Sequence, residues 1–250
     1  MSKNKIIADK IKIAERIVKE LRIQLGRDLR AVGLCGSVAR GTAQKYSDID
    51  HLIILKQPHP ELPRYRITED TYCSLLYETR QSINTQLTTP HHELPEILGG
   101  LTKVLPLYDL EKLLPKIEAK AQSIPYEVFH KSAELAILHS YEDFCRTKNA
   151  HLAGDEIVLK DNVYAVTHSA ANTVAALNQR YFVSDREIFK AHKSFKKLPK
   201  DYDRIEQCRY GNLTSEKLFQ TLLTFYIDLV HFCAKEGIKF PVTEASLKML

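Results

Sequence analysis

Two aspartates, Asp48 and Asp50, stand at the entrance to an apolar run that reads Ile-Asp-His-Leu-Ile-Ile-Leu from Ile49 to Leu55. Such a run is a buried strand by its composition and length. Residues two apart on a strand project from the same face, so the two carboxylates are placed side by side. Like charges repel there, and each carboxylate loses hydration where the chain enters a core. Something positive must sit between them. A hard divalent cation such as Mg²⁺ answers that need, because it takes oxygen ligands and is commonly held by one or two carboxylates together with phosphate oxygens.

The residues just upstream supply the other half of such a site. In Gly36-Ser-Val-Ala-Arg-Gly41, Gly36 permits a tight turn and a close approach of the backbone to a phosphate. Ser37 offers a hydroxyl donor, and Arg40 a guanidinium fork matched to phosphate. The assembly predicts a triphosphate held by the turn, with Mg²⁺ joining it to Asp48 and Asp50. No GxxxxGK[ST] occurs, so a P-loop is not the means of binding. A lone acidic pair would read equally well as a cap or a solvated loop. The ordered combination of turn, arginine, spacer, acidic pair and apolar run is far more specific.

Around this motif the chain reads as α+β. An amphipathic helix is expected over Ile6 to Leu25, ended by Gly26. Strands are expected at "LRAVGLCG", "IDHLIIL" and "DTYCSLLY", with a shorter edge strand at "KVLPLYD". The proline-rich "QPHPELPRY" reads as a loop, and a short helix follows Thr79. Beyond Asp109 the pattern becomes helical, over roughly 110–122, 126–148, 162–178, 185–195 and 214–236, with starts at "SIPYE" and "VSDRE". A boundary falls near 110–125, giving a mixed-sheet domain over 1–115, with helices on one side of the sheet, and a helical bundle over 116–250.

Composition narrows the function. No apolar stretch nears the ~20 residues of a membrane helix, and the N-terminus has no secretion signal, so a cytoplasmic protein without membrane contact is expected. Five scattered cysteines without a CxxC pair read as reduced thiols, not a disulfide frame or a zinc site. The net charge of +5 suits a polyanionic ligand such as a nucleoside triphosphate and is too dispersed to indicate nucleic acid.

The stretches "AVGLCGSVARGTAQKYSDID", "LPLYD", "YEDFCRTKN" and "VAALNQRYF" resemble the kanamycin (aminoglycoside) nucleotidyltransferases, a group within the DNA polymerase β-type nucleotidyltransferase superfamily. The resemblance spans about Ile11 to Val242. It implies a polymerase-β-like N-terminal fold and Mg²⁺-dependent transfer of a nucleoside monophosphate, AMP from ATP foremost, to a hydroxyl acceptor with release of pyrophosphate. An aminoglycoside-like acceptor is implied, as is a homodimer with its cleft between subunits, which leaves open whether Glu142 serves its own or the partner's nucleotide. By the same resemblance Glu142 is the general base and Arg146, four residues on, its basic partner. The helical pattern agrees, since positions 142 and 146 share a face with Leu138 and Leu135. A carboxylate among leucines would have a raised pKa, suited to a base. Asp143 points elsewhere on that helix.

One departure stands out. The family has a third acidic residue on the following strand, and an ungapped match puts Cys73 there. A bulge could instead bring Asp70 into place. AMP transfer to a protein or RNA, and nucleotide binding with little turnover, therefore stay open beside the main reading. His51 is expected to face a neighbouring helix. His91 and His92 lack further ligands at zinc spacing.

Overall fold

The computed structural model describes residues 2–182 and 185–248, in two compact units. One unit comprises Met1–Thr89 with Leu98–Ile124, the other Pro90–Ile97 with Pro125–Leu250.

The first unit opens with helix α1, Lys3–Leu25, closed by Gly26 at φ 51. Strand β1 is Leu29–Leu34, the short helix α2 is Gly36–Ala39 and β2 is Ile49–Leu55. A hairpin of β3, Tyr65–Thr68, and β4, Thr71–Thr79, comes next, then α3, Arg80–Thr88, and α4, Leu94–Leu101. The division between the units falls inside α4. Strand β5, Leu105–Asp109, and helix α5, Leu113–Ala121, complete the unit. The sheet order is β3-β4-β2-β1-β5, with β2 and β4 parallel and the other neighbours antiparallel, and β5 holds the expected edge position.

Helices cover both faces of this sheet, not one. Ile13, Ile17 and Leu21 of α1 pack on Val32, Leu34, Ile49, Ile53 and Cys73. Gly33, between Val32 and Leu34, faces the other way, and a Cβ there would run into Val104 and into Leu114 of α5. Burial of β2 on both sides, which leaves Leu52 and Ile54 as inaccessible as Ile53, requires the second layer.

The loop expected through Tyr65 ends earlier than the prolines suggested. Thr68 pairs with Thr71, so Glu69 and Asp70 form a two-residue hairpin turn with φ 50 and 56. Strand β3 escaped sequence analysis because it has only four residues, all partly or fully exposed. The helix expected after Thr79 is there, and the Thr79 hydroxyl accepts the Ser82 N–H while Ser82 returns the bond, a capping box.

The second unit is helical. It contains α6, Tyr126–Leu152, α7, Glu156–Leu177, α8, Asp185–Ala191, α9, Arg204–Tyr210, α10, Ser215–Lys235, and α11, Glu244–Lys248. Phe144, Phe219 and Tyr226 stack at its centre, with 4.4 Å between the Phe144 and Tyr226 rings. Helix α7 starts six residues before the expected 162, since Asp155 caps it by accepting the Val158 N–H at 3.0 Å. The start expected at "VSDRE" begins on residues outside those described.

Candidate active site

The residues from Cys35 to Asp50 fold into one compact cradle. The Cys35 N–H donates to the Asp50 carbonyl at 2.9 Å, tying the start of α2 to the start of β2. Gly36 follows with φ 63, and a side chain there would overlap the Asp50 carboxylate. Only glycine satisfies both demands, the left-handed backbone and the close approach. The Thr42 N–H donates to the Ser37 carbonyl at 2.9 Å and the Gln44 N–H to Ser47 Oγ at 2.9 Å, which shapes the return loop. Gly36, Ser37, Arg40, Asp48 and Asp50 are thus gathered at one end of the sheet.

The electrostatics of the cradle are unfavourable without a ligand. Burial, with Asp48 close by, pushes the Asp50 carboxyl up to about 6, and the Arg40 guanidinium only partly opposes this. Burial and the Asp50 charge push the Cys35 thiol up to about 12. Ser37 Oγ is buried and bonded to nothing among the described residues. A buried hydroxyl without a partner is a donor in want of an acceptor. An oxygen-seeking cation beside two carboxylates, and a phosphate beside a lone hydroxyl and an arginine, fit this donor set.

One participant escaped sequence analysis. Lys10 of α1 is buried, its ammonium donates to the Ser47 carbonyl, and it faces the Asp48 charge. Burial lowers its pKa, against the pull of Asp48. The signal was a lysine on the apolar stripe of α1, between Ile7 and Ile13.

Cys73 feels the Asp48 charge and the Lys10 ammonium but is out of register with Asp50. The parallel ladder pairs Ile49 with Cys73 and Asp50 with Ser74. Cys73 therefore belongs with Ile49 in the core beneath α1, wholly inaccessible, and the residue beside Asp50 is Ser74. Asp70 is committed to the hairpin turn, so the bulge that would bring it into place is absent. His51 lies buried in the sheet, its Nδ1 3.1 Å from the Ser74 carbonyl.

In the second unit, Glu142 and Arg146 lie one turn apart on α6, 2.6 Å from carboxylate oxygen to guanidinium nitrogen. Both side chains are about 60% exposed, at 61% and 59%. The leucine surface expected to exclude water from Glu142 is absent, as Leu135 and Leu138 are themselves exposed. The withdrawn carboxylate is its neighbour. Asp143 is 18% exposed, and burial raises its pKa against the pull of Arg146, 3.3 Å away. Asp143 lines a cavity of about 320 Å³ with His92, His139, Tyr164, His168 and Asn172. The His92 ring stacks on His139 at 3.9 Å and on His91 at 4.4 Å. His91, His92 and Glu93 bring possible ligand atoms within 4.8 Å of one another, a grouping that sequence spacing did not suggest. His91 uses Nδ1 to accept the Glu93 N–H at 3.1 Å.

Comparison with known proteins supplies the context. Residues 11–124 match the model of a nucleotidyltransferase domain, and residues 111–239 that of a KNTase C-terminal domain. An aminoglycoside nucleotidyltransferase (4′) of Staphylococcus aureus is 21% identical over 234 residues, covering 92% of each chain. A putative protein adenylyltransferase of Methanocaldococcus jannaschii is 31% identical over 120 residues, covering 42% of this chain and 82% of the relative. Among solved structures, a nucleotidyltransferase-like protein from Exiguobacterium sibiricum shares the fold, with a TM-score of 0.54 at 12% identity over 89% of this chain and 75% of that one. No helix among the described residues is long and apolar enough to cross a membrane.

Proposed function

The chain belongs to the nucleotidyltransferases that carry a KNTase C-terminal domain, and from that premise we propose that it transfers AMP from ATP, with Mg²⁺, to a hydroxyl of an aminoglycoside-like small molecule. The observation that carries the reading is the cradle, where the Gly36 backbone lies against the Asp50 carboxylate and the Ser37 hydroxyl is buried without a partner.

Asp48 and Asp50 would hold the cation. When bound, Mg²⁺ supplies positive charge to the phosphate oxygens and relieves the repulsion between the two carboxylates. Ser37 Oγ and the Arg40 guanidinium hold and orient the triphosphate. Glu142 takes the proton of the acceptor hydroxyl, and Arg146 steadies the carboxylate. The acceptor oxygen forms a bond to the α-phosphorus, the α–β bridge breaks and pyrophosphate leaves with the bridging oxygen. On this reading residues 1–115 handle the nucleotide, and residues 116–250 provide the base, the acceptor contacts and dimer contacts. A homodimer is supported by the exposed Tyr65, Ile67, Tyr72 and Leu76 on β3 and β4, an apolar surface of the kind that copies of a chain bury together.

A second reading, AMP transfer to a protein, draws on the M. jannaschii relative, whose likeness covers 42% of this chain. The likeness of the S. aureus enzyme covers 92% and favours the small molecule. Mass spectrometry after incubation with ATP and Mg²⁺ separates them. The proposal expects an AMP adduct on an aminoglycoside in a panel of amino sugars, neutral polyols and candidate proteins. An adduct on a protein alone would replace the first reading with the second.

A further inference from the structure

We propose that the cavity of the second unit holds an amino group of the ligand, through the Asp143 carboxylate and the Asn172 side-chain oxygen. The inference rests on the acceptor reading above and adds the residues and chemistry that select the acceptor.

Asn172 lies on α7 and is almost wholly buried. Its amide nitrogen donates to Glu96 and, at 3.4 Å, to the His168 carbonyl. A carboxylate only accepts, so the bond to Glu96 fixes which way the amide points. The oxygen, Oδ1, is left buried and accepts from nothing among the described residues. Asn172 lines the cavity, as does Asp143. Glu96 already accepts from His168 Nε2 at 2.7 Å as well as from Asn172. Burial pushes its carboxyl up, but these bonds outweigh burial and hold it below the ordinary value. Glu96 is therefore a fixed anchor that orients Asn172.

The second acceptor is Asp143. Arg146 reaches only its Oδ1, at 3.3 Å, across a largely exposed guanidinium. Burial makes the charge of Asp143 costly without closer company. His92 is driven towards its neutral form, first by burial and then by the His139 ring beside it. The cavity thus presents a lone buried amide oxygen and a half-buried carboxylate, two acceptors without a close donor of their own. It suits an ammonium that donates to both oxygens. About 320 Å³ is the size of a small-molecule site and admits an amino-sugar ring.

The test is calorimetric titration of kanamycin, spermidine and raffinose into the full chain, with and without a non-hydrolysable ATP analogue. Asp143→Asn and Asn172→Ala are titrated beside it, with thermal melts to show that both fold. Kanamycin binding weakened tenfold or more by each variant, with raffinose unbound, is the expected result. Spermidine binding that both variants abolish, without kanamycin binding, would keep the amine pocket and remove the aminoglycoside-like acceptor from the proposed function. Equal kanamycin affinity in all three proteins, raffinose bound as well as kanamycin, or no binding of either amine would overturn the pocket. AMP transfer to kanamycin with unchanged KM in both variants would overturn it while leaving the reaction intact.

Discussion

At the scale of single residues, Asp50 pays for its function with stability. Its carboxyl is pushed up to about 6 from an ordinary value near 4, by burial and then by Asp48. Between those values the folded chain holds a proton that the unfolded chain has lost. Asp50 therefore lowers stability progressively as pH rises from about 4 to about 6, and the loss is complete above 6. Asp50→Asn should raise the melting temperature by a few degrees at pH 7.5, with the gain shrinking towards zero near pH 4, as differential scanning calorimetry would show. An equal gain at both pH values would contradict this origin. Gly36→Ala works in the opposite sense. The added methyl meets the Asp50 carboxylate on a backbone with φ 63, so nucleotide transfer should fall by at least about a hundredfold, measured as initial rate.

At the scale of elements, β4 decides which residue accompanies the aspartates. The ladder puts Ser74 beside Asp50 and Cys73 in the core. Cys73→Asp would bury a further carboxylate near Asp48, only partly offset by Arg66 and Lys10, and should destabilise by ~3 kcal/mol or more, read from urea unfolding. Ser74→Asp should fold and tighten Mg²⁺ binding. The reverse pair of outcomes would place the family's third position at Cys73 after all. On α6, the Glu142–Arg146 pair is exposed and contributes only ~0.3–0.5 kcal/mol. Glu142→Gln should therefore leave the melting temperature nearly unchanged and lower kcat about a hundredfold or more, with ATP affinity intact. A small effect on kcat would move the base elsewhere, with Asp143 the nearest carboxylate.

Over the whole molecule, local and short-range signals were readable in the sequence and pairing was not. Periodicity located α1, α6 and α10, and the Gly36–Asp50 motif announced its cradle because its chemistry is contiguous. Register is a long-range property, and the pairing of Asp50 with Ser74 was not readable from the sequence. Strand β3 is held by hairpin pairing and not by its own four residues. Lys10 was lost within a helix otherwise read as amphipathic, and the Asp143–Asn172 cavity draws on α6, α7 and the turn before α4, which no spacing connects. The exposed Tyr65, Ile67, Tyr72 and Leu76 carry the expectation of a homodimer. Light scattering after size exclusion should give twice the chain mass, and Ile67→Lys with Leu76→Lys should return it to a monomer.

The most direct measurement is pyrophosphate release from ATP with Mg²⁺ and an amino-sugar acceptor, comparing the native chain with Asp50→Asn. Acceptor-dependent release that Asp50→Asn abolishes, though it folds at least as stably, is the predicted result. Release that survives in Asp50→Asn would contradict the assignment of the cradle as the catalytic centre.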